Sequence, residues 1–287
     1  MNDTVVRIRI MVLLILGLCV PVVWILPGMS EAHTGQNLKV HFLDVGQGDA
    51  IFIQTPDGVE VLIDGGSNSS VLRALSQRMS FFDRNIDMVI GTHPDTDHIG
   101  GLIDVLERYE VDTVLTTENE GNSGTAAVYR TAIDEEGAEI IFARSGQMFT
   151  LGDSVTLQVL FPVNDASNME SNTSSIVLQL IYGDTAVLLT GDSPKNIEEY
   201  LVESIGSSLQ SDVLKVGHHG SRTSTSELFL TTVDPQLAIV SAEKDSRYGH
   251  PHVEVTDMLF NHGVETYSTA EEGTVTLESD GTQIWKQ

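Results

Sequence analysis

The chain has 287 residues and carries 15 Lys+Arg against 41 Asp+Glu, a formal net charge of −26. At 41% hydrophobic and 20% charged it has the composition of a folded protein with a substantial core, which excludes long disordered tails and coiled coils. The single cysteine, Cys19, excludes a disulfide scaffold. The acidity excludes a broad electropositive nucleic-acid surface, although a metal in a cleft would still recruit phosphates locally.

The chain opens with a segment unlike the rest. Arg7 and Arg9 precede an apolar run over residues 10–26, broken only by Gly17 and Pro21. That run is longer than the about 7–15 residues of a signal-peptide core and shorter than the about 20 of a spanning helix. Ser30-Glu31-Ala32 offers a small-x-small cleavage site before His33. Residues 1–32 therefore read as a cleaved signal peptide or a retained membrane anchor. Both place residues 33–287 outside the cytoplasmic membrane, because the positive flank stays inside. Leu18, where a small residue is wanted, argues against lipidation of Cys19.

Beyond residue 38 short β-rich runs alternate with helical patterns. Strands are expected over 38–43, 50–54 and 59–63, with Pro56-Asp57-Gly58 as a hairpin turn. A helix at 69–79, a strand at 86–90 and a helix at 98–109 follow, then strands near 112–116, 138–142, 154–161, 174–182 and 185–190. A helix at 195–204, a strand at 212–216 and a helix at 225–233 come next. Strand 237–241, helix 251–262 and strands 264–268 and 272–279 complete the chain. Nothing divides residues 33–287, so one many-stranded α/β (α+β) sandwich is expected.

The sharpest chemical signal is Thr92-His93-Pro94-Asp95-Thr96-Asp97-His98-Ile99-Gly100-Gly101, where a strand gives way to a helix. His93, Asp95, Asp97 and His98 are four potential ligands within six residues, able to converge on one or two ions. Asp97 as a plain helix cap is the bland alternative. Asp192 follows the apolar run Val187-Leu-Leu-Thr, and His218 and His219 end another. One of these histidines is expected to ligate, with His218 favoured, and the other to orient it or meet substrate. His250 precedes Pro251, a favoured first helical residue, which would set its imidazole at a helix N-terminus near bound anions. Asp64 is expected to organise the loop through hydrogen bonds. Asp44, Gln47 and Asp49 are open between support of the site and ordinary turn chemistry.

These motifs resemble the metallo-β-lactamase superfamily, whose hallmark is a His-x-His-x-Asp-His loop; Asp95 stands here in place of the second histidine. More specifically they resemble the hydrolase domain of ComEC-type competence proteins. The resemblance rests on His41-Phe-Leu-Asp-Val-Gly-Gln-Gly-Asp49, Leu62-Ile-Asp-Gly-Gly66, Leu189-Thr-Gly-Asp192, Lys215-Val-Gly-His-His-Gly-Ser221 and Tyr248-Gly-His-Pro251, in family order. It implies a four-layer αββα sandwich and two divalent ions, Zn2+ or Mn2+. The implied ligands are His93, Asp95, Asp97, His98, Asp192 (bridging) and His218, with Asp97, His219 and His250 catalytic. Gln47, Asp49, Ser221 and His250 would meet substrate. A further family histidine is absent from Ser171-Asn-Thr-Ser-Ser175. That leaves one ion with more oxygen donors and tilts preference from zinc toward manganese.

The expected activity is metal-dependent hydrolysis of a phosphodiester, possibly DNA, outside the cytoplasm, with an envelope or DNA-uptake membrane partner. Residues 10–26 would add the membrane itself if uncleaved. The competing readings are an esterase of small or cell-wall phosphoesters and a non-enzymatic, metal-stabilised module of an envelope complex. The charge of −26 counts against processive DNA binding, since counterion release requires several lysines or arginines.

Overall fold

Strands that are apolar on both faces must be covered on both faces, and this chain is full of them. Phe42, Ile51, Ile53, Val61, Ile63 and Ile90 enter one buried cluster, while Phe52, Leu62 and Val89 on the same strands enter another. The computed structural model describes residues 37–287; the apolar run 10–26 and the cut before His33 lie outside the described residues. Among the described residues no helix is long and apolar enough to cross a membrane.

One sheet contains β1 (Leu38–Phe42), β2 (Ile51–Gln54), β3 (Glu60–Ile63), β4 (Asn85–Ile90), β5 (Glu110–Thr116), β6 (Glu139–Phe142), β14 (Val275–Ser279) and β15 (Ile284–Lys286). Its strand order is β15-β14-β1-β2-β3-β4-β5-β6. The other contains β7 (Met148–Leu151), β8 (Val155–Phe161), β9 (Val177–Tyr182), β10 (Thr185–Leu189), β11 (Val213–Lys215), β12 (Leu237–Val240) and β13 (Glu265–Ser268), in the order β13-β12-β11-β10-β9-β8-β7. Helices α1 (Ser70–Ser76), α2 (Thr96–Leu106) and α3 (Gly124–Glu136) cover the first sheet. Helices α4 (Lys195–Ile205), α5 (Glu227–Val233) and α6 (Val253–Asn261) cover the second. The one-turn α7 (Thr269–Glu272) links β13 to β14. Three apolar clusters result, one between the sheets and one under each helical layer. This is the αββα sandwich.

Several elements depart from expectation. Helix α3 was not foreseen, because it buries only Ala126, Tyr129 and Ile133. Its ends were nonetheless written in the sequence: the Ser123 hydroxyl accepts from the Ala126 N–H, and Gly137 takes the left-handed C-cap. Edge strands β7 and β15 are short and half exposed, so their periodicity is faint. Residues 172–174 form a 3-10 turn ahead of β9. Helix α6 starts at Val253 with His252 at its N-cap, so Pro251 is not the first helical residue and His250 is not at the helix terminus.

Strands β3 to β6 run parallel, as do β10 to β13. Their carboxyl ends therefore deliver loops in series along an edge of each sheet, where ligand sites of α/β folds gather. Two close approaches fix those loops. A Cβ on Gly101 of α2 would lie 2.0 Å from the Gly65 carbonyl, and one on Gly48 would lie 1.9 Å from the Asp97 carbonyl. Gly48 also sits at φ +113, where side chains are strained.

On the outer part of the first sheet, His41 contacts Gln54 Oε1 through Nε2 (3.2 Å), and Gln54 Nε2 donates to Glu60 Oε1 (2.7 Å). Burial raises Glu60 to about 7 and lowers His41 to about 4. The raised carboxyl binds its proton more tightly folded than unfolded, so this contribution is lost as pH climbs toward 7. Glu60→Gln should therefore show a melting temperature that gains on the wild type between about pH 4.5 and 7, with a flat difference above; a pH-independent difference would contradict it. Gly48→Ala should destabilise by about 1–3 kcal/mol in denaturant unfolding; wild-type stability would contradict the close approach to Asp97.

Candidate metal centre

The loop leaving β4 is built on one buried carboxylate. Asp64 accepts from the Thr92 N–H (2.8 Å), the Thr92 hydroxyl (2.7 Å) and His98 Nδ1 (2.7 Å). The loop-organising role expected of Asp64 is what its geometry provides. With the Thr92 hydrogen spent on Asp64, His93 Nδ1–H donates to Thr92 Oγ1 at 3.0 Å. Both imidazoles are thereby set to present Nε2. Asp95 stands at the N-cap of α2, with Asp97 in its first turn.

From the second sheet come Asp192, beyond β10, and the pair His218–His219, beyond β11. His98 Nε2 lies 3.3 Å from Asp192 Oδ1, and His93 Nε2 lies 3.9 Å from Asp192 Oδ2. His219 Nε2 lies 3.5 Å from Asp97 Oδ2 and 3.6 Å from Asp192 Oδ2. Two donor sets share this space, His93–His98–Asp192 and Asp97–His98–His219, each with its ligand atoms within 4.8 Å of one another. In neither set do the donors hydrogen-bond one another through these atoms: His93 Nε2, His98 Nε2, His219 Nε2 and Asp192 Oδ1 are buried without a hydrogen-bond partner. Buried polar atoms ordinarily find partners. Imidazole nitrogens and carboxylate oxygens aimed at a common point are the donor chemistry of divalent ions, so the residues present fit such ions.

The electrostatics follow from the same crowding. Burial pulls His219 down, but the carboxylates of Asp192, Asp49 and Asp97 outweigh it and raise it to about 9. Burial would raise Asp192, yet His219 and His98 hold it well below the usual carboxylate range. His93 is lowered by burial and by neighbouring His98.

The other residues named from sequence divide between rim and interior. Asp95 is partly exposed, its Oδ2 3.7 Å from His93 Nε2, and its Oδ1 accepts from the Ser171 hydroxyl at 2.6 Å. The segment lacking the family histidine thus reaches the site through a serine. Gln47 Nε2 donates to Asp97 Oδ2 (3.4 Å), and its Oε1 accepts from Ser246 (3.1 Å). A cleft of about 580 Å³ opens beside Asp95 and Asp97, walled by Gln47, Asn68, Arg247 and Tyr248. His250 stacks on Tyr248 at 5.8 Å, with Nδ1 buried and unpartnered; burial and the nearby His219 and His218 lower it to about 4.

Three placements bear on the roles expected from sequence. His218 is the more exposed of the pair: its Nδ1 contacts Thr223 Oγ1 (3.1 Å) and its Nε2 reaches Asp192 Oδ2 at 3.5 Å, outside both donor sets. Fully buried His219 occupies the interior position instead. Asp49, expected at substrate, is buried and paired with Lys215 at 2.8 Å. Ser221 is also buried, its oxygen accepting from the Thr223 hydroxyl at 2.9 Å. Sequence reasoning gave Lys215 no role and passed over Ser241, whose carbonyl accepts from His219 Nδ1 at 3.1 Å. The signal for Lys215 was present, a lone charge inside Val213-Leu214-Lys215-Val216. A backbone carbonyl leaves no such trace.

The chain is similar to several known proteins. Over 280 residues the chain is 31% identical to ComE operon protein 3 of Bacillus subtilis, covering 90% of this chain and 35% of that protein. It is 32% identical to Recombination protein 2 of Haemophilus influenzae (83% and 28% covered) and 30% identical to Competence protein ComA of Neisseria gonorrhoeae (83% and 32% covered). The chain thus spans about a third of the length of these relatives. Among solved structures, the diiron β-hydroxylase CmlA of Streptomyces venezuelae shares the fold at 17% identity and TM-score 0.56, over 86% of this chain and 55% of its own. Zn2+-bound PqqB of Methylobacterium extorquens does so at 13% identity and TM-score 0.53, over 81% and 88%. Residues 43–242 match the sequence signature of the Metallo-beta-lactamase superfamily. The chain belongs to that superfamily, within a branch related to competence proteins.

Proposed function

We propose that this protein is a divalent-metal-dependent phosphodiesterase acting outside the cytoplasmic membrane, with a DNA strand as the favoured substrate. The observation that carries the reading is the set of unpartnered, buried His93, His98 and His219 nitrogens and the Asp192 oxygen, converging beside an open cleft. DNA is favoured because the similar proteins include one named for competence and one named for recombination. The extracytoplasmic location rests on the sequence of residues 1–32.

In this proposal His93, Asp95 and Asp192 hold one ion, and Asp97, His98, His219 and Asp192 the other; Zn2+ and Mn2+ both suit the donors. Bound there, such ions lower the pKa of water to yield a nucleophile and withdraw charge from a phosphoryl oxygen. Asp192 would contribute to both positions because its Oδ2 lies 3.9 Å from His93 Nε2 and its Oδ1 3.3 Å from His98 Nε2. In this reading His219 takes the ligand place expected of His218, since it is fully buried and its ligand atom converges with those of Asp97 and His98. His218 and His250, at the rim, are left to meet the phosphoryl oxygen or the leaving group. Gln47 steadies Asp97 and borders the substrate cleft.

A small or cell-wall phosphoester is the second reading. It is favoured by the net charge of −26 and by Arg247 being the one basic side chain among the described residues lining the cleft. Few counterions would be released on binding a long polyanion. Hydrolysis of bis-p-nitrophenyl phosphate and of a single-stranded oligonucleotide, with Mn2+ or Zn2+ added, decides between the substrates. No hydrolysis of either by metal-loaded protein would contradict the enzymatic reading.

Ligand and rim residues separate by metal content. His219→Ala should lose most bound metal and its activity together. His218→Ala and His250→Ala should keep their metal and lose roughly 10²–10⁴-fold in turnover. Elemental analysis showing metal lost from His218→Ala but retained in His219→Ala would reverse the assignment of the two histidines.

A further inference from the structure

Lys215 is the last residue of β11, in the middle of the second sheet, and is 0% exposed. Its neighbours Val213, Leu214 and Val216 are buried apolar residues. A methionine or leucine there would avoid the cost of burying an ammonium group. Instead Nζ lies 2.8 Å from Asp49 Oδ2 and donates to the Val216 carbonyl at 3.0 Å. This charge is retained against an energetic gradient, and what surrounds its partner indicates why.

Asp49 belongs to the other sheet. It precedes β2, its N–H donates to the Asp97 carbonyl (3.2 Å), and its carbonyl accepts from the Gly66 N–H (2.8 Å). Its backbone is thus stitched to the loop of Asp97 and His98 and to the turn of Asp64, while its side chain crosses to the second sheet. Its second oxygen, Oδ1, lies 3.3 Å from His219 Nδ1. The Ser241 carbonyl lies 3.1 Å from the same nitrogen. Only the Ser241 carbonyl takes a hydrogen bond from Nδ1, Asp49 Oδ1 being buried without a partner, so Nε2 is the nitrogen turned toward Asp97 and Asp192 and open to an ion. The backbone of His219 lies at φ 55 and that of His218 at φ 49, a conformation that surroundings must impose on such residues.

From this geometry we infer that Lys215 and Asp49 are positioning residues, a buried ion pair that ties the two half-sites together across the sheets and holds the Asp49 carboxylate beside His219 Nδ1 and off the donor set. The inference rests on His219 being a metal ligand, as proposed above. The pair also restrains Asp49 itself. Asp49, Asp192 and His219 have ligand atoms within 4.8 Å of one another, so an Asp49 released by Lys215 would compete for the ions and distort the donor set.

The experiment must separate positioning from simple support of the fold. In the full-length chain, Lys215→Met and Asp49→Leu each leave one buried charge unpaired, and each should lower the melting temperature by about 10 °C. The double variant Lys215→Met/Asp49→Leu has no unpaired charge and should recover most of that loss. It should still bind Mn2+ or Zn2+ about 10–100-fold more weakly by calorimetric titration. Asp49→Asn, which keeps an oxygen toward Nδ1, should retain more affinity than Asp49→Leu. A double variant that recovers stability and binds metal as tightly as the wild type would overturn the inference. Absence of metal binding by the wild type would instead overturn the metal reading on which it rests.

Discussion

Buried polar atoms without hydrogen-bond partners are costly, and the interior ends of this sandwich hold several of them. His93, His98 and His219 each present a nitrogen, and Asp192 an oxygen, to the same enclosed space. Buried imidazoles and carboxylates whose polar atoms lack hydrogen-bond partners are expensive to hold together, and cations sharing the space would offset that cost. Much of the surrounding structure is arranged to maintain that arrangement. Asp64 locks the loop of the first sheet, and the Ser241 carbonyl locks the ring of His219.

Neither half-site is complete within its own sheet. The first sheet supplies His93, Asp95, Asp97 and His98 from one strand-to-helix loop; the second supplies Asp192 and His219 from the ends of neighbouring parallel strands. The spacing between the sheets is therefore part of the chemistry. A well-packed apolar layer sets the general separation. It offers no directional contact at the site, and the Lys215–Asp49 pair does. Close approaches without side chains, at Gly48 against Asp97 and Gly101 against Gly65, bring the loops near enough for these side chains to meet.

The legibility of the sequence followed the physics of each feature. Largely buried strands such as β4 and β10 stood out as apolar runs, and the αββα layering was implied by the family resemblance that the motifs between them carry. Helix α3 was missed because three buried residues in thirteen make a weak stripe, even though Ser123 and Gly137 marked its ends. The loop residues His93 to His98 could be read because their spacing is local. His218 and His219 could not be told apart, because adjacent residues in a turn with φ near 50 point where tertiary contacts send them. Lys215 and Asp49, 166 positions apart in chain order, become partners only when the two sheets meet.

The central claim is that the orphaned donors hold two divalent ions. Diffraction from crystals soaked in Mn2+, recorded at the manganese absorption edge, tests it without reference to any substrate. Two anomalous peaks are predicted, one contacted by His93 and Asp192 and the other by Asp97, His98 and His219, with Asp192 common to both and His218 bound to neither. A map with no peak among these residues, or with a peak held by His218 in place of His219, would contradict the account.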